Sequence, residues 1–391
     1  MIYFLILNFL VLFSVPISAY TGIFPIYYIY SVLILIHYIV TYKYKKVSFG
    51  NEVIGLIIYI FVFIFLFILE AAFNFLPDIL TSAKSVLSLT WIPLFLILFF
   101  SRINNFDLKK FIHFHIYLGL VISALGIVQY LFSRDLWGLI PRIRLDAFYE
   151  DKEFSYRASS ILYSEQVFGL YCLLNAILVL EYKKIFKKNL FIFFFFIFII
   201  SGLLSGNKSV TALLALYLIF KISFFNYKNR LLVLSQGIVF IVIAFVFFSL
   251  IEDNTIIRSF TWLFDNKSVS STESNSGRLS VYNNILENTN VILGNGVGST
   301  MPSNNENYIN TESYYLQLYS EGGLVLLLAF LNFGIRSLIR TYRNRDNRTF
   351  FLLIIILSSM GFVHAFGSPV FIGFWVIVIA PLFYSHKLKN S

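Results

Sequence analysis

Few groups in this chain could do chemistry, and most are cations lying where a membrane protein tends to avoid them. Lys84, Arg134, Arg142, Arg144, Lys152, Arg157, Lys208, Arg258, Lys267 and Arg278 fall on segments that the charge distribution, set out below, places outside the membrane. The planar fork of arginine donates two parallel hydrogen bonds, the geometry that phosphate and pyrophosphate accept. The competing use of each cation is pairing with the outer acids. Lys208 is the most constrained, because Ser205-Gly206-Asn207-Lys208-Ser209 forms a tight hairpin with little room for a merely solvated ammonium. Gly294-Asn295-Gly296-Val297-Gly298 has neither a preceding strand nor dinucleotide-loop spacing, so it is expected to be a turn or a close backbone approach. HExxH, GxSxG and P-loop patterns are absent. His113 and His115, two residues apart, point to nearly opposite helix faces and cannot share a metal; both are expected to be hydrogen-bonded helix-end residues. His364, beside Ala365-Phe366-Gly367 near the outer end of a span, is a candidate to line a site. Cys172 stands alone in an apolar run, which excludes a disulfide framework or a cysteine metal cluster and leaves a packing residue.

The elements that must position these groups are membrane helices. Of 391 residues 58% are apolar and only 13% charged, and the mean hydropathy is +0.79. A soluble chain carries about a quarter charged residues. The simplest organisation is one all-α polytopic membrane domain over residues 1–391, with spans near 2–18, 21–41, 53–69, 85–100, 111–133, 166–182, 190–204, 209–226, 231–251, 323–339, 349–366 and 368–385. The Met1 end has no basic n-region, so a cleaved signal peptide is not expected. With both termini in the cytoplasm, the inner loops hold 20 of the 30 Lys and Arg against Glu52, Asp107, Glu181 and Asp346. The outer side then holds ten cations and sixteen acids, and every second loop is basic, as the positive-inside tendency requires. The net charge of +10 is therefore an orientation signal rather than a nucleic-acid surface. About twelve transmembrane helices follow.

Two outer segments exceed what a connection needs: residues 134–165, and residues 252–322 between the ninth and tenth spans. In the second, Ile256, Ile257, Phe260 and Leu263 repeat at helical spacing, as do Leu279, Tyr282, Ile285 and Leu286. Both predict short amphipathic helices at the outer interface, and Thr311–Tyr319 predicts a further helical stretch leading into the tenth span. A chain that only crosses a bilayer needs no such insert, so the chemistry is expected there. Tyr308, Tyr314 and Tyr315 offer flat faces for sugar rings or serve as interfacial belt residues.

Taken together, the outer motifs resemble the O-antigen polymerase and O-antigen ligase superfamily of bacterial envelope glycan assembly, over residues 150–370. Arg157-Ala158-Ser159-Ser160, running into Ser164-Glu165-Gln166-Val167-Phe168-Gly169, resembles its arginine motif; Ser205 to Ser209 resembles its small-residue hairpin, with lysine where arginine is commoner. Ser276-Gly277-Arg278 and then Leu293 to Gly298 resemble the start of its large loop. Glu312-Ser313-Tyr314-Tyr315-Leu316 through Glu321-Gly322-Gly323-Leu324 resembles the motif that closes the loop. The chain departs from the family at Glu312, which occupies the neighbourhood of a histidine found in family ligases and many polymerases.

The resemblance implies a GT-C-like architecture in the bacterial cytoplasmic membrane, with the active site on the extracytoplasmic side. It implies a polysaccharide polymerase acting on O-antigen, capsule or exopolysaccharide, with a polyprenyl-diphosphate-linked oligosaccharide as donor and the sugar end of another lipid-linked unit as acceptor. Arg157, Lys208 and Arg278 would stabilise the diphosphate without a metal or other cofactor. Glu312, or with less support Glu321, would take the acceptor proton. Glu321, Tyr315, Asn295 and His364 would bind sugar. Arg278 and Glu312, near the two ends of the insert, are expected to meet Arg157 and Lys208 over one cavity. Expected partners are the bilayer, the lipid-linked substrate and other glycan-assembly proteins, with no nucleic acid. The alternatives are a ligase-type glycan transferase of the same superfamily, and a flippase or other transporter of lipid-linked oligosaccharide. A transporter would carry charged residues within its spans.

Overall fold

In the computed structural model the described residues are 5–12, 26–41, 51–73, 78–102, 106–131, 158–162, 164–224, 273–300, 313–361 and 368–384. Their regular elements are all helical, with no strand among them: α1 (Ile26–Thr41), α2 (Asn51–Ala72), α3 (Ile79–Arg102), α4 (Leu108–Leu131), α5 (Glu165–Glu181), α6 (Lys188–Leu204), α7 (Lys208–Phe224), α8 (Glu273–Asn288), α9 (Tyr314–Arg343), α10 (Asn347–Ser359) and α11 (Ile372–Tyr384). Among the described residues four stretches are long and apolar enough to cross a membrane: Val53–Ala72, Ile79–Leu98, Leu108–Leu131 and Tyr314–Arg343. Shorter apolar helices lie at Lys188–Leu204, Ser209–Lys221, Asn347–Ser359 and Ile372–Leu382. Helices suit these runs because lipid offers no partner to a backbone amide, so each must be satisfied within its own segment. Expected span 231–251 and the amphipathic segment at 256–263 lie outside the described residues.

The chain forms two compact units, residues 1–28 with 109–266 and residues 29–108 with 267–391. In the first, α5 is the central helix: every residue from Phe168 to Val179 is buried. Its neighbours approach where side chains are small. A Cβ on Gly119 would press on Asn175 and Phe198, one on Gly126 would overlap the Phe168 ring, and one on Gly169 would overlap Ser205. Glycine seams of this kind let membrane helices pack by van der Waals contact where no hydrophobic force favours association. At the other end of α5, Glu181 meets Lys221 at 2.7 Å and accepts the Tyr217 hydroxyl. His115, buried in the body of α4, bonds Asn8 at 2.9 Å, while His113 uses Nδ1 on the Lys109 carbonyl.

In the second unit, α2 packs on α9 through Leu56, Tyr59, Phe63 and Leu66, at helical spacing, and turns Phe61, Phe65 and Ile68 outward as a lipid-facing surface. The Tyr59 ring sits edge-on to Phe330, and its hydroxyl shares a 2.9 Å hydrogen bond with that of Tyr314. Helix α3 begins at exposed Asp78, which accepts the amide and hydroxyl of Thr81; those two donations hold its carboxyl below the ordinary range. Arg345, at a positive φ of 55°, turns the chain from α9 to α10, which Asp346 caps through the Thr349 amide.

Two expectations differ in detail. The stretch before the tenth span and the span itself form one element, α9, interrupted at Gly322 (φ −141°, ψ 18°) and Gly323 (φ 59°, ψ −157°). Helix α8 matches the second amphipathic segment, but its apolar stripe is narrower: Ile285 is buried and Leu286 is exposed. Adjacent helical residues diverge by about 100°, so both cannot face one partner. The break supplies a test. A Cβ at Gly323 would overlap the Ile292 carbonyl and sit on a left-handed backbone, so Gly323→Ala is expected to cost about 1–3 kcal/mol. Gly361→Ala, where a Cβ meets only the Ser358 carbonyl at 3.4 Å, should be nearly neutral. Thermal unfolding in detergent compares the two, and equal midpoints would contradict the strained break.

Candidate functional site

A helix broken within an apolar segment leaves amides and carbonyls that must find partners. At Gly322 and Gly323 residues 290–300 provide them. The Asn295 amide donates to the Ser320 carbonyl at 2.6 Å, on one side of the break. On the other, the Leu324 and Val325 amides donate to the carbonyls of Val291 and Ile292 at 2.8 and 3.4 Å. The loop holds its own shape through Asn290, whose side chain accepts the amides of Ile292 and Leu293. Val291, Ile292 and Leu293 expose apolar side chains, as suits a lipid boundary.

Glycine makes the fit possible. Gly294, Gly296 and Gly298 all have positive φ. A Cβ on Gly294 would lie 2.6 Å from the Gly322 nitrogen, and one on Gly298 2.8 Å from the Ser82 Cα. The glycine-rich turn is thus a tight turn and a close approach at once.

Two buried carboxylates anchor it. Glu321, the last residue before the break, is fully buried. Its Oε1 accepts from the Thr300 hydroxyl and from Gln317 Nε2 at 3.0 Å; its Oε2 accepts from the Ser85 hydroxyl at 2.6 Å and the Gly298 amide at 3.3 Å. Two donors on each oxygen fill the acceptor sites of a carboxylate. Glu70, near the end of α2, takes the Val297 amide at 2.7 Å, while the Ser82 hydroxyl donates to the Val297 carbonyl. Successive amides, Val297 and Gly298, therefore go to different carboxylates on different helices. In this arrangement Glu321 ties α3, the loop and α9 together and has no lone pair left for a substrate hydroxyl.

The other expected residues fall as follows. Asn295 is exposed and donates from its side chain to Thr289; its amide joins it to the residue beside Glu321. Tyr315 is half-buried and gives its hydroxyl to the Leu357 carbonyl at 2.6 Å, so it joins α9 to α10. The start of α9 is tied to the same place, since Tyr314 N and Ser313 Oγ both donate to the Met360 carbonyl. Arg278 lies on α8 and Lys208 opens α7. Arg157, Glu312 and His364 lie outside the described residues.

In the first unit a second junction joins the arginine strip, residues 158–162 following Arg157 in sequence, to the hairpin at 205–209. The Ala158 amide donates to the Leu204 carbonyl at 2.9 Å, and Asn207 donates from its side chain to the Gln166 carbonyl. Asn207 also accepts the amide and hydroxyl of Ser209, fixing the first turn of α7.

Two residues that matter here were not singled out from the sequence. Glu70 had a signal, an acid inside an apolar run, which marks a functional or structural site by default. Gln129, which holds the arginine strip, had none. Comparison with protein families returned no match, and neither did comparison with curated proteins.

The two carboxylates should respond differently to loss of charge. Glu321→Gln puts an amide donor where two donors now converge, and is expected to cost on the order of 3 kcal/mol. Glu70→Gln keeps an oxygen for its single described amide and should cost under about 1 kcal/mol. Detergent-phase melting of the two proteins decides this, and indistinguishable midpoints would remove Glu321 as the anchor.

Proposed function

We propose that this chain is a metal-independent membrane glycosyltransferase, a polysaccharide polymerase of the O-antigen, capsule or exopolysaccharide type. It moves an oligosaccharide from a polyprenyl-diphosphate carrier to the sugar end of another lipid-linked unit. The observation that supports this best is the pairing of the four outer motifs. Arginine strip and hairpin are joined by Ala158 to Leu204, and glycine loop and closing motif by Asn295 to Ser320. Motifs that resemble one superfamily in order are thus held two by two.

The acceptor hydroxyl oxygen forms a bond to the anomeric carbon as the bond from that carbon to the diphosphate breaks. The electron pair leaves with the diphosphate, and the hydroxyl proton passes to Glu312. Arg157, Lys208 and Arg278 hold the growing charge on the leaving group. Asn295, Tyr315 and His364 contact sugar as weaker contributors, whereas Glu321, expected with them, keeps its filled oxygens on α3, the loop and α9. On this reading the chain has a GT-C-like architecture of about twelve spans in a bacterial cytoplasmic membrane. Both termini are inside, the reaction takes place outside, and the polyprenyl tail lies among the apolar helices.

One observation favours a second reading. Glu70 and Glu321 are buried on long apolar helices, and α9 is discontinuous beside one of them. Transporters of lipid-linked oligosaccharide would use such features.

Purified protein incubated with a synthetic lipid-diphosphate repeat unit separates the two. A ladder of longer glycans is expected; transbilayer movement of the lipid without a ladder would favour the transporter. Arg157→Ala and Arg278→Ala should abolish the ladder while the protein still inserts, and wild-type polymer from either would strike that arginine from the site. Glu312→Gln should slow turnover by about 100-fold or more across pH; retained turnover would limit Glu312 to positioning.

A further inference from the structure

We propose that Gln129 is a positioning residue for diphosphate binding, holding the strip that carries Arg157 against the hairpin that carries Lys208. The inference rests on the diphosphate reading of those two cations. Gln129 lies in the last turn of α4 and is half-buried. Its Oε1 accepts two successive backbone amides, from Ser159 at 3.0 Å and Ser160 at 2.7 Å, and its Nε2 donates to the Ser159 hydroxyl at 3.4 Å. Successive amides aimed at one point form a concavity of the kind that binds anions, and here the glutamine oxygen fills it.

The backbone conformation that aims them is a strained one. Ser160 has a φ of 51°, a left-handed value that a side-chain-bearing residue holds only when its surroundings impose it. Gln129 is one part of those surroundings; the other is the Ser160 hydroxyl, which donates to the Ile122 carbonyl at 2.7 Å, one face of α4 thus holding both. On its other side the strip is tied by Ala158 to Leu204, four residues before Lys208. Ala158 is bonded directly to Arg157. Ala158, which follows Arg157 in sequence, and the turn that leads to Lys208 therefore belong to one hydrogen-bonded framework within the first unit, and Gln129 is the only side chain among the described residues that bonds successive amides of the strip.

Gln129 does not itself touch the ligand. Its loss should release the strip and weaken anion binding as loss of Arg157 would. Calorimetry with inorganic pyrophosphate on the full-length protein in detergent tests this without requiring turnover. Gln129→Met keeps the side-chain length and removes the acceptor, and should weaken pyrophosphate binding about tenfold, the scale of two net hydrogen bonds. In an Arg157→Ala background the same change should add less than about twofold, because both act through one group. Gln129→Glu keeps the two amide bonds and should bind more tightly than Gln129→Met. That variant also carries the test if Gln129→Met does not fold, since Gln129→Glu should then stay within about threefold of wild type.

Wild-type affinity in Gln129→Met, or a full tenfold effect added to Arg157→Ala, would overturn the positioning role. So would Gln129→Glu binding no better than Gln129→Met, or losing about tenfold by itself where Gln129→Met does not fold. Unchanged affinity in both Arg157→Ala and Lys208→Ala would overturn the diphosphate reading and the proposal with it. Loss in those two variants with none in Gln129→Met would overturn the proposal alone.

Discussion

An amide or carbonyl left without a partner in lipid costs several kcal/mol, and α9 contains a place where the helix ladder cannot supply one. Much of the second unit is arranged around that place. The loop 290–300 lends two carbonyls and one amide to the break at Gly322 and Gly323, and must be held in register to do so. Glu70 holds Val297 at its amide and Ser82 holds it at its carbonyl, while Glu321 holds Gly298 and Thr300. The carboxylates are thus not isolated charges placed at random in an apolar helix. Each accepts donors that would otherwise be buried unpaired.

This division of labour bears on which acids are free to react. A general base needs an open lone pair, and Glu321 has given both oxygens to neighbours. Its place is to define where the loop and the first half of α9 meet. The first unit uses the same economy with neutral groups. A single glutamine satisfies two amides on a backbone of unfavourable φ, and one asparagine links the hairpin to α5 while it caps α7.

Apolar period and length make most helices legible in the sequence, because lipid leaves the backbone one main way to satisfy itself. The glycine cluster at 294–298 is legible too, as a turn and a close approach. What could not be read is partnership. Glu321 and Ser85 lie 236 residues apart, and no local spacing announces that one will accept from the other. In the sequence the double glycine at 322–323 falls between a loop helix and a span, whereas the structure keeps both halves in one interrupted element. Gln129 stood at the end of an apolar run with no neighbour to mark it, since the groups it serves are Ser159 and Ser160, some thirty residues on.

The broken helix also has a consequence for how the protein is made. Synthesis delivers the chain from its N-terminus, and early segments can fold before later ones exist. Glu70, Ser82 and Ser85 precede the loop, and the loop precedes α9. When Glu321 and the two glycines reach the bilayer, every described group that satisfies them from another element has already been synthesised. The break, the point least able to insert unaided, thus reaches the bilayer after the groups that satisfy it, and its receptor is already present in its own chain.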